Sequence, residues 1–145
     1  MVIPIVTRGI RNCNPGNIRK DGTPWEGLSP VQDDPAFCVF IDAPHGIRAM
    51  AIILRSYQEN YGINTIRGII NRWAPPVEND TEAYIEDVCA RARFKPDDPI
   101  DITNEATAQM VIPAIIAHEN AGYAYPLGVL QTGLGLAGIG ENHVA

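Results

Sequence analysis

Long apolar runs, basic stripes and patterned cysteines are all missing from this chain of 145 residues. No run approaches the roughly 18 apolar residues of a membrane-spanning helix, which excludes a span of that kind. Lys and Arg number 11 against 17 Asp and Glu, a net charge of −6. Neutralising phosphates needs a basic stripe, so nucleic acid is not expected as the main partner. Cys13, Cys38 and Cys89 are odd in number and lack a CxxC spacing. Buried, reduced thiols are therefore expected, with no zinc site or disulfide framework. His45, His118 and His143 show no ligand spacing, and no metal site is expected. A Gly-rich phosphate loop, a GxSxG elbow, HExxH and a Cys–His nucleophile pattern are absent too, so no cofactor is expected. The opening MVIPIVTRGIRN has neither the charged n-region nor the long h-region of a signal peptide. Action outside the cytoplasm is then expected to need another route of delivery.

What is present reads as one ordinary globular domain over residues 1–145, with 46% hydrophobic and 19% charged residues. Residues 9–44 are rich in turn signals (NPGN, DGTP, GLSP, DDP) around short apolar runs at 17–19 and 37–41. They predict a small β-hairpin region or extended lobe. Apolar residues at Ile47, Met50, Ala51, Leu54 and Tyr57 then predict a helix up to Gly62. Asn64 or Thr65 caps a short helix carrying Ile66, Ile69, Ile70 and Trp73, stopped by Pro75-Pro76. Asp80 or Thr81 caps the next, whose buried face runs through Tyr84, Ile85, Val88, Cys89 and Ala92. Thr103 or Asn104 caps the longest apolar helix, through Met110, Val111, Ala114 and Ile115, with Gly122 as its stop. A Gly-rich helix from Pro126 closes the chain. The predicted class is mainly α (α+β), a helical domain with a small β region near the N-terminus. The three long apolar stripes are expected to share one core, with residues 11–41 flanking a groove.

Four stretches can carry chemistry. RNCNPGNIR presents amides suited to a sugar or peptide, or is a plain Asn-Pro-Gly turn. In WEG, Trp25 is a sugar platform or a lid over the core. WAPPVENDTEAY places Glu78, Asn79 and Asp80 before Tyr84. In PAIIAHENAG an apolar helix delivers one carboxylate, Glu119, at its last position. The helix end carries negative partial charge and the apolar surroundings desolvate the group; both favour the protonated form a general acid needs.

Taken together, RGIRNCNPGNIR, WEG, FCVFIDAPHGIRAM, TIRGIINRWAPPVENDTEAYIEDV and AIIAHENAG resemble phage virion-associated peptidoglycan-degrading proteins of the lysozyme-like superfamily. The resemblance covers most of residues 8–125 with five motifs in one order. A weaker similarity is to flagellar-type glucosaminidases. There an ALESGWG-like helix end with the catalytic glutamate precedes NNLFGIK, a W-x-G, an aromatic strand, a helix and a YATDPxYAxKI segment. Here NPGNIRK, PWEG, FCVF and WAPPVENDTEAYIEDV keep that order, but the glutamate segment comes last. This implies a circularly permuted lysozyme-like fold.

The resemblance implies that Glu119 is the general acid and then base of glycosidic cleavage. It implies that Tyr84 faces Glu119 across the cleft, and that Asn17, Trp25 and Asn79 line the sugar groove. ENAG in place of ESGWG marks a different local packing. For a second carboxylate, Asp34, Glu26 and Glu78 remain open. Without one, a lytic transglycosylase using the sugar's own 6-hydroxyl fits better than a two-carboxylate hydrolase. The implied partner is peptidoglycan, with other virion or tail proteins beside it. The implied location is the phage virion, or the host cytoplasm before release to the wall. The runner-up is a catalytically silent virion or wall-binding module with the same fold.

Overall fold

A computed structural model describes residues 6–140; His143 and the first five residues of the opening segment lie outside them. The described chain is mainly helical. A single turn, α1 (Arg8–Arg11), precedes α2 (Ala43–Tyr61), α3 (Ile66–Trp73), α4 (Thr81–Ala92), α5 (Glu105–Glu119) and α6 (Leu127–Leu136).

Helices α2 to α5 each start where a short polar side chain takes an orphan amide, whereas α6 starts at Pro126 without a side-chain cap. Asp42 accepts from the His45 amide, Thr65 from Gly68, Asp80 from Ala83 and Asn104 from Thr107. Of the alternatives left open by the sequence, the caps are thus Thr65, Asp80 and Asn104. Thr81 takes another task, donating its hydroxyl to the Ala74 carbonyl at 2.6 Å and drawing the Pro75-Pro76 loop onto α4. α2 stops at Gly62, whose φ of +66° suits glycine.

The helices share one core. α5 is buried on nearly every side (Ala108, Val111, Ile112, Ala114, Ile115, Ile116, Ala117), as a central helix must be. α4 lies along it, α3 covers α4, and α2 packs chiefly on α6 while also touching α5. Among the described residues no helix is long and apolar enough to cross a membrane. Cys38 and Cys89 are buried and Cys13 is partly so, all three as free thiols.

Where a β-hairpin was expected, residues 12–41 hold only two isolated antiparallel bridges, Arg19 with Phe37 and Leu28 with Phe40. The reason is side-chain competition for the backbone. Asn14, fully buried, accepts from the Ile18 amide and donates to the Ile18 and Cys38 carbonyls. Gln32 accepts from the Val39 amide and donates to the Val39 carbonyl. Asp34 accepts from the amides of Ala36 and Phe37. The amides of Ile18, Ala36, Phe37 and Val39 are thereby taken, while the Ile18 and Val39 carbonyls still receive the Cys38 and Ser29 amides beside the two bridges.

Asp34 anchors this lobe to α1. Its carboxylate receives Arg8 Nε and Nη2, each at 2.6 Å, and Asn12 Nδ2 at 2.9 Å. The Arg8 guanidinium holds this carboxyl well below the usual carboxylate range; burial opposes it, and the Ala36 and Phe37 amides and Asn12 add to it. A carboxyl whose value is depressed on folding stabilises above its unfolded value, about 4, and that contribution is lost as pH falls below it. Asp34→Asn should therefore lower the melting temperature at pH 7. Melting curves against pH should show the gap to wild type closing below about pH 4.

Candidate active site

The C-terminal turn of α5 puts Glu119 half-buried on an open cleft of about 530 Å³. One wall is the segment from Gly16 to Asp21 with Phe37. The other comes from Ile53 and Tyr57 of α2, Arg72 and Trp73 of α3, and the 74–79 loop. The groove is thus shared between the 11–41 lobe and the helices, as the distribution of apolar stripes predicts.

Tyr84 reaches Glu119 from α4. Its hydroxyl donates to Glu119 Oε1 at 3.2 Å, and the residue is only 4% exposed. Burial, and then the negative charge of Glu119, push the Tyr84 hydroxyl far above the ordinary phenol value. It keeps its proton and acts as a donor. Glu119 Oε2 receives no hydrogen bond among the described residues. Behind Tyr84 the His118 ring stacks with its centroid 3.8 Å away, and His118 Nδ1 lies 2.8 Å from Asp87 Oδ2. Burial pushes the Asp87 carboxyl up, but His118 and Arg91 outweigh it and hold the value below the ordinary one.

The neighbouring residue ties the lobe to this helix end. Asn120, 2% exposed, donates Nδ2 to the carbonyls of Pro15 (2.8 Å) and Ile116 (2.9 Å). Its Oδ1 accepts the Thr7 hydroxyl at 2.6 Å. Gly9 packs so closely on it that a Cβ there would stand 2.6 Å from Asn120 Oδ1. Gly16 is pressed onto Met50 and Trp73, with no room for a Cβ. Asn17, left-handed at φ +52°, then reaches the cleft wall, a backbone region asparagine tolerates.

The expected site residues divide. Glu119, Asn17 and Asn79 line the cleft, and Tyr84 sits behind Glu119 in contact with it. Trp25 is not among the lining residues: it is half-buried against the core, with its indole N–H buried and without a partner among the described residues. The tryptophan on the cleft is Trp73, which helical spacing assigned to the apolar face of α3. Of the possible second carboxylates, Asp34 is locked by five donors and lies away from the cleft. Glu26 pairs with Arg48 at 3.2 Å, also away from it. Glu78 does line it, exposed on the rim, and so does Asp21, which sequence reasoning did not single out. Asp21 accepts from the Thr23 side chain and amide, which hold its carboxyl below the usual range.

Fold and site together define a mainly helical domain with one half-buried, tyrosine-bonded glutamate on an open, amide- and arginine-lined groove. No family model matches the chain. It is 42% identical over 129 residues to Protein P5 of Pseudoalteromonas phage PM2, across 87% of this chain and 79% of that protein. The chain belongs to the family of that bacteriophage protein.

Proposed function

We propose that this domain cleaves the glycan strand of bacterial peptidoglycan, on a permuted lysozyme-like fold, with Glu119 as the acid–base residue. The observation that carries the reading is the Glu119–Tyr84 pair on the cleft. Because Tyr84 must donate, Oε1 is fixed as an acceptor and the acid proton belongs on Oε2. That proton passes to the glycosidic oxygen as the C1–O bond breaks. The sugar's own 6-hydroxyl then attacks C1 and returns its proton to Glu119. The balance is one bond broken, one formed and no water consumed.

This transglycosylase route is favoured over a two-carboxylate hydrolase because the remaining cleft carboxylates, Asp21 and Glu78, are both solvent-exposed. A phage would use such an activity at wall entry from its particle, among virion or tail proteins, or from the host cytoplasm at release. The phage origin of the related Protein P5 supports that setting.

Tyr84→Phe tests the pair. The ring still stacks on His118, so only the hydroxyl is lost. Turnover of purified peptidoglycan should fall roughly tenfold with KM little changed, and stability by about 1 kcal/mol. Loss of stability with full turnover would mark the hydroxyl as purely structural.

A further inference from the structure

Two cleft residues have cationic groups that the protein itself leaves unused. Arg19 stands on the lobe wall with its guanidinium over the Phe37 ring, 5.0 Å from the centroid. Arg72 stands on the α3 wall with its guanidinium 4.0 Å over the Tyr61 ring and 5.3 Å from that of Tyr57. Among the described residues neither guanidinium has a carboxylate within ion-pair distance, and neither donates a hydrogen bond. Other arginines of the chain are held, and Arg11 and Arg93, which are also exposed and without an ion pair among the described residues, lie outside this cleft. Arg8 is held by Asp34, Arg48 by Glu26, Arg67 by Glu82 and Asp97, and Arg91 by Asp87. The acids of the cleft are otherwise placed: Glu119 takes the Tyr84 hydroxyl, Asp21 takes Thr23, and Glu78 is exposed.

Stacking on an aromatic face fixes the plane of a guanidinium and leaves its N–H edge free. That edge matches a carboxylate in bidentate geometry. We propose that Arg19 and Arg72 form a carboxylate-binding pair on opposite walls of the cleft, selecting glycan strands that carry carboxylates over neutral ones. The inference rests on the glycan-cleaving reading and names its substrate class: an acidic, carboxylate-bearing amino-sugar polymer. On intact strands those carboxylates are the ones of the stem peptides, since the lactyl carboxyl is taken up in the amide bond to the peptide.

The test is binding and cleavage by the full chain at low salt on four probes. These are intact purified peptidoglycan strands, the same strands with carboxyls amidated by carbodiimide and ammonia, strands stripped of stem peptides by an amidase, and a chitin oligomer. Amidation should weaken binding about tenfold or more, and the chitin oligomer should bind as poorly as amidated strands. Arg19→Gln with Arg72→Gln should weaken binding to intact strands equally, and amidation should then add nothing. The Arg19→Lys, Arg72→Lys variant should recover part of the loss, since charge returns without the fork. Stripping exchanges the stem-peptide carboxylates for the lactyl carboxylate that the amidase frees. Loss of affinity confines the pair to the stem peptide, and retained affinity extends it to the lactyl group. Equal binding of intact and amidated strands by the wild-type chain, whatever the variants do, overturns the proposal while leaving glycan cleavage standing. Failure to bind or cut any of the four probes overturns the glycan reading and this one with it.

Discussion

Glu119→Gln is expected to lower turnover of purified peptidoglycan by about 10²–10⁴-fold, the usual worth of a positioned general acid. The melting temperature should barely move. Glutamine keeps the shape of the side chain, and its amide oxygen still accepts the Tyr84 hydroxyl that now reaches Oε1. What it cannot do is release a proton from the second oxygen. A solvated helix-terminal glutamate would behave differently: its replacement would shift stability by less than about 0.5 kcal/mol and leave turnover untouched. Glu78→Gln and Asp21→Asn are the parallel controls, being the other carboxylates on the cleft. Both should leave turnover intact. Loss of lysis in Glu78→Gln with full lysis in Glu119→Gln would transfer the acid role to the 74–79 loop.

The largest effect on stability is expected at the next residue. Asn120→Ala deletes the bonds to the Pro15 and Ile116 carbonyls and to the Thr7 hydroxyl, in a side chain only 2% exposed. Buried polar groups left without partners cost about 1–3 kcal/mol each, softened where water can enter. A net loss on the order of 3 kcal/mol is expected in urea denaturation. Turnover should fall as well, because the Thr7 and Pro15 contacts hold the lobe against the end of α5 and so set the width of the cleft beside Glu119. Asn120→Asp is the informative companion. It keeps the acceptor for Thr7 but turns a buried carboxylate oxygen onto the Pro15 and Ile116 carbonyls. At pH 7 it should therefore destabilise at least as much as Asn120→Ala, with part of the loss recovered at low pH where the carboxyl regains a donor.

Much of the helical frame was legible because its signals are local. Thr65, Asp80 and Asn104 cap within three residues of the amides they satisfy, and the stripes through Ile47–Leu54 and Tyr84–Ala92 repeat at helical spacing. Glu119 was legible for the same reason, as a carboxylate ending an apolar run. The lobe was not, because its order comes from Asn14, Gln32 and Asp34 intercepting backbone groups, which a strand pattern does not reveal. Asn120 escaped notice because its partners Pro15 and Thr7 lie 105 and 113 residues away in sequence. Trp25 takes the second of the two places open to it, over the core, and Trp73 packs on the core as well but also reaches the cleft. Helical spacing assigns Trp73 to the apolar face of α3, yet the chain turns at Pro75 beside the cleft, where the ring remains half-exposed. Among the described residues, the lack of an ion pair at Arg19 and Arg72 is a property of the fold and not of local sequence.

The most direct test of the central claim is product analysis of purified peptidoglycan incubated with the full chain, read by mass spectrometry. The account predicts new glycan ends, formed without uptake of water and therefore lighter by one water than hydrolysis products. These ends should be absent with Glu119→Gln. Strands that are bound by the chain but return uncut at any enzyme concentration would contradict it, and would leave a wall-binding module in place of an enzyme.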